Sequence, residues 1–420
     1  MSPPPAAPGS ESLRSRTWRI DAELDPLDVA GDDGMLWVRE GLSLAARGVA
    51  AVVDGTDRAA LAAEVARVLA AIETDDEVAR PGTGPLALAA LPFAADAAAT
   101  VRVPELLAGR DRDGTRWITW VGSGEPPPPS VALARLTSPT GPRARVVPGE
   151  FVVRSERPAH AHAEAVAAAR DELRAGAARK VVLARAVTVE CDGPIPRLPV
   201  LRRLRAAYPT CYLFALPELV GASPELLVSR FGDTVRAQPM AGTVRRSPDP
   251  AVDARLAAGL LASHKDRVEH QITIDMVHDT LLPWCSYLDA PVEPEVVSVA
   301  NVHHLATWVQ GRLSKPLPSV LELVGALHPT PAVCGDPRDA ALALIARHER
   351  LDRGSYAGPV GWVDAAGNGE LAVGIRSAEL RDNRARLFAG GGVVADSDPD
   401  AELDETRVKL EAMLGAIVRP

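Results

Sequence analysis

The sequence predicts an α+β fold in which large antiparallel sheets are flanked by helices. Two observations point there. Apolar segments of strand length stand in neighbouring pairs joined by short polar turns, AAGNGE at 365–370 and RDNR at 381–384, which suit antiparallel hairpins rather than parallel crossovers. The 420 residues are 47% hydrophobic and 24% charged, enough to bury a substantial core in one large or two medium domains.

The elements follow in order. Residues 1–16 are rich in Pro, Ala and Ser and are expected to be disordered; the opening MSPPPAAPGSESLRSR has no apolar centre and does not read as a secretory signal. Over 17–157, alanine-rich helical patches such as ALAAEVARVLAAIE (60–73) alternate with short strands such as RWITWVG (116–122), and PPPPS (126–130) reads as a loop. This part carries few polar clusters and is expected to be scaffold. Residues 158–420 are more tightly organised and are expected to be the catalytic part, unless 17–420 form one intertwined domain. HAEAVAAARDELRAG (162–176) has helical periodicity, and KVVLARAVTVE (180–190), CYLFAL (211–216), ELLVSRF (225–231) and DTVRAQPM (233–240) read as strands. Helices are expected at 250–263, 265–284, 320–327 and 339–350, strands around 357–364, 370–381 and 384–395, and a last helix at 400–417.

The net charge of −9 argues against a nucleic-acid partner but not against a small anion in a locally positive site. No run of about 18 apolar residues occurs, so no membrane partner is expected. Cys191, Cys211, Cys285 and Cys334 show no paired spacing and read as reduced thiols of a cytoplasmic protein. No exposed apolar helix stripe is evident, which favours a monomer. Only four lysines, Lys180, Lys265, Lys315 and Lys409, stand in a chain that otherwise uses arginine. A lysine there marks a place that needs an amine able to lose its proton, although Lys315 in its SKPLP loop reads as chance.

Two helices offer acidic pairs at i, i+3, Asp266 with Glu269 and Glu402 with Glu405. Carboxylates from two helices meeting at one point would suit Mg²⁺. The same spacing equally suits solvated faces with ion pairs, such as Glu405 with Lys409. Glu225 follows the turn GASP (221–224), where a carboxylate can point into a cleft; as a general acid it would need a raised pKa. Lys180 opens a strand, and as a general base it would have to be neutral. Arg376 lies in the apolar strand LAVGIRSAEL, where a charge is expensive unless an anion meets it. AGGGVV (389–394) lets backbone N–H groups approach an anion, or makes a tight turn.

The order of these motifs resembles that of the chorismate-utilising enzymes: isochorismate, salicylate, anthranilate and aminodeoxychorismate synthases. KVVLAR (180–185), GASPELL (221–227), QPMAGTVRR (238–246), SHKDRVEHQITID (263–275) and NVHHLATWVQG (301–311) occur in the family's order. LHPTPAVCG (327–335), YAGPVGW (356–362), GIRSAEL (374–380), LFAGGGVV (387–394) and ELDETRVKL (402–410) complete the set. The resemblance implies the aminodeoxychorismate-synthase-like fold, two interleaved halves whose antiparallel sheets face each other. It also implies roles. Lys180 falls on the base that activates water, Glu225 on the acid that protonates a departing hydroxyl, and Glu269 and Glu405 on the Mg²⁺ ligands, with Asp266 and Glu402 behind them. Asp266 departs from the glutamate of some members. Arg376, Lys409, Tyr356, His304, Ala306, Thr307, Gly242, Thr243, Gly390, Gly391 and Gly392 fall on substrate-contacting positions.

Within the family, covalent aminodeoxychorismate synthases look like PIKGT where this chain has PMAGT, so Ala241 removes the attacking lysine. Anthranilate synthases place a non-basic residue where Lys180 stands. The resemblance therefore implies hydration of chorismate to isochorismate, feeding menaquinone or siderophore synthesis. HHLAT (303–307) looks like an isochorismate synthase rather than a salicylate synthase, which would go on to eliminate pyruvate. A chorismate-binding protein without activity is the remaining reading, which Lys180, Glu225, Glu269 and Glu405 together disfavour. No glutaminase domain is read in these 420 residues, and no glutaminase subunit is expected.

Overall fold

The computed structural model describes residues 12–139, 150–217 and 219–419. Residues 1–11 of the expected disordered opening lie outside these; from Arg14 the chain is already a strand, Arg14–Arg19, with Ser15 and Thr17 turned inward. Pro129 begins a helix, Pro129–Thr137, so only the front of the proline tract is loop. The strand Phe151–Ser155 and the helix Arg197–Ala207 were not expected from periodicity.

Among the described residues the strands form sheets of thirteen, nine and three, antiparallel throughout except for the pairing of Arg14–Arg19 with Glu73–Asp76. The architecture is the expected α+β. Strands from before residue 123 lie in both larger sheets beside strands from much later: Met35–Arg39 pairs with Tyr212–Leu216, and Leu86–Ala90 with Pro359–Asp364. The two sheets pack face to face through Trp37 and Phe214 on one side and Leu88 and Trp362 on the other, all essentially fully buried. On the outer face of the thirteen-stranded sheet, helices Arg197–Ala207 and Pro399–Val418 bury Leu201, Leu204, Leu410 and Met413.

The two helices with acidic pairs form where expected, at His264–Leu281 and Pro399–Val418. Ser263 accepts the Asp266 N–H to cap the first, and Asp398 accepts the Asp400 and Ala401 N–H groups to cap the second, with Pro399 pre-set for the first turn. No described helix is long and apolar enough to cross a membrane, and the four cysteines are unpaired.

Candidate active site

The site lies where strands change sheets. Leu219–Ser223 belongs to the thirteen-stranded sheet, and the chain passes through Pro224 and Glu225 into Leu226–Phe231 of the nine-stranded one. Beside it, running the other way, Gly369–Val373 leaves the nine-stranded sheet and becomes Ser377–Arg381 of the larger. The two bent strands stay paired, Val373 N–H donating to Glu225 O and Ala222 N–H to Arg376 O, both at 3.1 Å. Two expectations change here. GASP is not a turn, since Gly221–Ser223 are strand; Gly221 is small because a Cβ would sit 2.5 Å from the Phe214 ring. Residues 370–381 are not one strand either, and Arg376 occupies the break with φ +50. A non-glycine residue in that left-handed region carries strain of about 1–3 kcal/mol, which the surrounding structure must enforce.

A third change of sheet follows. After Thr234–Gln238 the chain enters the three-stranded sheet as Met240–Arg245, with a bulge at Gly242, whose φ is +68. The strand Lys180–Cys191 runs against Arg384–Val393, placing Gly390, Gly391 and Gly392 opposite Ala184, Leu183 and Val182. The glycine run is thus strand, not turn. Side chains there would collide: a Cβ on Gly392 would lie 2.6 Å from Glu269 Oε1, and one on Gly391 2.9 Å from Glu402 Oε2.

Into this wedge the helices deliver their carboxylates, and three of the four lysines meet them. Lys180, 1% exposed, pairs with Glu269 at 2.8 Å. Lys409 pairs with Glu405 at 2.5 Å and donates to Gly390 O at 2.8 Å. Lys265, half exposed, stands 3.8 Å from Glu402. Burial pushes Glu269 up, but Lys180 and then Lys409 and Lys265 outweigh it and hold the carboxyl below its ordinary range. Burial, then Glu405 nearby, pushes Glu402 up to about 7, and its Oε2 has no partner among the described residues. Asp266 is raised by burial and by Glu269.

Glu225, 4% exposed, is pushed up to about 8 by burial, against the opposing pull of the Met240 backbone and of Lys180, Lys409 and Arg376. Arg376 is buried, which lowers its pKa; its Nε–H has no partner among the described residues. His304 Nδ1 donates to Gly242 O at 3.0 Å, leaving Nε2 to accept from Arg376 Nη2 at 3.4 Å; burial, then Arg376, lowers its pKa to about 3, so the ring is neutral. Tyr356 stacks on Phe388 at 4.9 Å, and burial pushes its hydroxyl up to about 12. A wedge that holds an unpaired guanidinium donor and a protonated acid out of water is built for a small anionic molecule.

Of the residues singled out in the sequence, Glu225, Gly242, Thr243, Asp266, Glu269, His304, Tyr356, Arg376, Gly390, Gly392, Glu402, Glu405 and Lys409 line one cleft, with Ala241 beside them. Lys180 lies just beneath, its Cε 3.0 Å from where a Gly392 Cβ would be. Gly391 backs onto Glu402, and Ala306 and Thr307 are buried away from the lining, Thr307 bonded to His270 Nε2 at 2.8 Å. Arg353, Val182 and Met240 also line the cleft and were not anticipated; nothing in their local pattern marks them. A roomier hollow of about 490 Å³ behind Arg353, walled by Phe93, Ala94 and Ala97, holds none of the residues singled out.

Such a cleft would suit an enzyme that handles small anions. The chain belongs to the chorismate-binding enzyme family, whose sequence profile matches residues 130–418. It is 42% identical over 353 residues, 80% of this chain and 88% of the other, to a Mycobacterium tuberculosis protein provisionally named an isochorismate synthase. It is 44% identical over 253 residues, 58% of this chain and 64% of the other, to a Bacillus subtilis isochorismate synthase. Among solved structures, a Bacillus anthracis protein provisionally named a 2,3-dihydroxybenzoate-specific isochorismate synthase is 32% identical with a TM-score of 0.78, covering 94% of this chain and 99% of that one. The menaquinone-specific isochorismate synthase of Escherichia coli, 23% identical with a TM-score of 0.80 over 99% of this chain and 96% of its own, shares the fold.

Proposed function

We propose that this chain is an isochorismate synthase: water adds to C2 of chorismate, the C4 hydroxyl leaves, and the ring double bonds shift. The observation that carries the reading is the buried Glu225, whose carboxyl is pushed up to about 8 and so keeps its proton at neutral pH. Glu225 donates that proton to the departing C4 hydroxyl, and Lys180, after giving up its own proton and with it the 2.8 Å ion pair to Glu269, takes one from the attacking water. Arg376, whose Nε–H has no partner among the described residues and whose guanidinium is braced by His304, holds the enolpyruvyl carboxylate. Ala241 leaves no amine to compete with water. The names of the relatives support the same reading.

The site fits Mg²⁺. Its donors are carboxylate oxygens, and the partnerless Oε2 of Glu402 together with the raised Glu402 and Asp266 marks acid in want of a cation. No three acidic, histidine or cysteine side chains form a closed cage among the described residues. Mg²⁺ in such sites uses one or two carboxylates and leaves the rest to water and ligand. Glu269 and Glu405 would hold it, with Asp266 and Glu402 behind, and bound there it would neutralise the acids and clamp the ring carboxylate. The reading extends to a monomeric cytoplasmic enzyme without nucleic-acid, membrane or glutaminase partners.

Product analysis after incubation with chorismate tests it. Isochorismate should accumulate, activity should vanish in EDTA and return with Mg²⁺. Salicylate with pyruvate would make it a salicylate synthase, and bound chorismate without turnover would end the enzymatic reading.

A further inference from the structure

The outer edge of the strand Lys180–Cys191 has a gap in its ladder. At its start Val181 pairs with Gly335, and Val182 N–H donates to Cys334 O at 2.7 Å. Farther on, Ala186 O accepts the Glu156 N–H at 3.1 Å and Val187 pairs with Ser155. Between these points two side chains stand in for a strand. Arg353 Nη2 donates to Val182 O at 2.8 Å, and Glu349 Oε2 accepts the Ala184 N–H at 2.8 Å. Arg353 Nε and Nη2 reach the two Glu349 oxygens at 2.7 Å each, and Nη1 donates to Val333 O at 2.7 Å. The guanidinium lies over the Phe93 ring, 4.2 Å from its centre.

Both residues are almost wholly buried, at 4% and 3% exposure. A buried ion pair is a poor source of stability, since apolar groups of similar volume do as well or better. What it offers is direction: two guanidinium donors and one carboxylate oxygen fixed on particular backbone atoms, with the pair locked to each other by two more bonds. We infer that Glu349 and Arg353 are positioning residues for catalysis, holding the strand in place so that Lys180, two residues before Val182, stays beneath the cleft. Arg353 sets a second side of the site too, because its carbonyl accepts the Tyr356 N–H at 2.9 Å. Neither residue exchanges a proton with substrate. The inference rests on the chorismate reading of the cleft, with Lys180 as base.

The test compares Arg353→Met, the apolar double variant Glu349→Leu/Arg353→Met, and the mild Glu349→Gln with the wild type. Turnover of chorismate, Tm and amide exchange of the segment 181–186 are measured together. Arg353→Met should lower both Tm and kcat. The double variant should regain the wild-type Tm while kcat stays down at least about tenfold and KM moves less than about threefold, as misplacement of a reacting group predicts. Amide exchange at Ala184 should quicken in all three. Return of kcat along with Tm in the double variant would make the pair merely structural and overturn the inference. Unchanged kcat and exchange in Glu349→Gln would do the same, even if the double variant failed to fold. A wild type inert toward chorismate would sink the proposed reaction instead, and exchange at Ala184 would still show whether the pair holds the strand.

Discussion

Glu370 and Glu225 lie on adjacent strands of the nine-stranded sheet or at its border, and both are buried, at 2% and 4% exposure. Around Glu370 every oxygen is met: Arg39 Nε sits 2.7 Å from both, and Trp37 Nε1 donates to Oε1 at 2.8 Å. This joins the early strand Met35–Arg39 to the late strand Gly369–Val373 across the sheet interface. Glu225 has no ion pair among the described residues, and burial lifts its pKa instead. The same residue type at the same depth thus serves two ends. A carboxylate matched by an ion pair ties strands together, whereas one buried without an ion pair keeps a proton to give.

The contrast should be sharpest in turnover. Lys180→Ala and Glu225→Gln should each lower kcat by about 10² to 10⁴ while circular dichroism stays that of the wild type. Retention of full activity in both would remove them from the mechanism. Glu370→Ala should do the reverse, leaving kcat of the folded protein close to normal but costing about 3 kcal/mol in denaturant unfolding, since Arg39 and the Trp37 N–H lose their partner. A large kcat effect there would blur the distinction.

The smallest effect is one of pH. Glu225 acts in its protonated form, so kcat should hold at neutral pH and fall, at most about tenfold per unit, as pH rises through about 8. The stability sign follows from the same shift. A carboxyl raised from 4.5 to about 8 on folding stabilises at low pH and loses that contribution between those values. The Tm of Glu225→Gln relative to wild type should therefore climb from about pH 4.5 to about 8 and level off above. A flat difference across that range would mean that Glu225 titrates as if exposed.

Much of this was legible in the sequence where local pattern and tertiary environment agree. The strand from Lys180 and the helices bearing Glu269 and Glu405 carry their own periodicity and caps, so their bounds came within a few residues. The scarcity of lysine was informative too, because Lys180, Lys265 and Lys409 all converge on the cleft. What escaped was long-range. LAVGI before Arg376 is apolar and SAEL after it alternates, both strand-like, so nothing local betrays the change of sheet. Gly221 and the run Gly390–Gly392 look like turn residues, yet Gly221 is small to admit Phe214 of the paired strand, and Gly391 and Gly392 to admit Glu402 and Glu269. Arg353 and Glu349 look like an ordinary i, i+4 surface pair, and only the gap beside Val182 and Ala184 gives them a purpose.

The pairing of Leu86–Ala90 with Pro359–Asp364 also constrains how the protein is born. A ribosome adding about 5–20 residues per second needs roughly 15–55 s to travel from the first of these strands to the second. Over that interval one edge of the early strand lacks its later neighbour, while the other can pair with Ala99–Val103. The early strand's apolar face, Leu86 and Leu88, must meanwhile be shielded by provisional contacts or by a chaperone, and the cleft can close only once Glu402, Glu405 and Lys409 have been made.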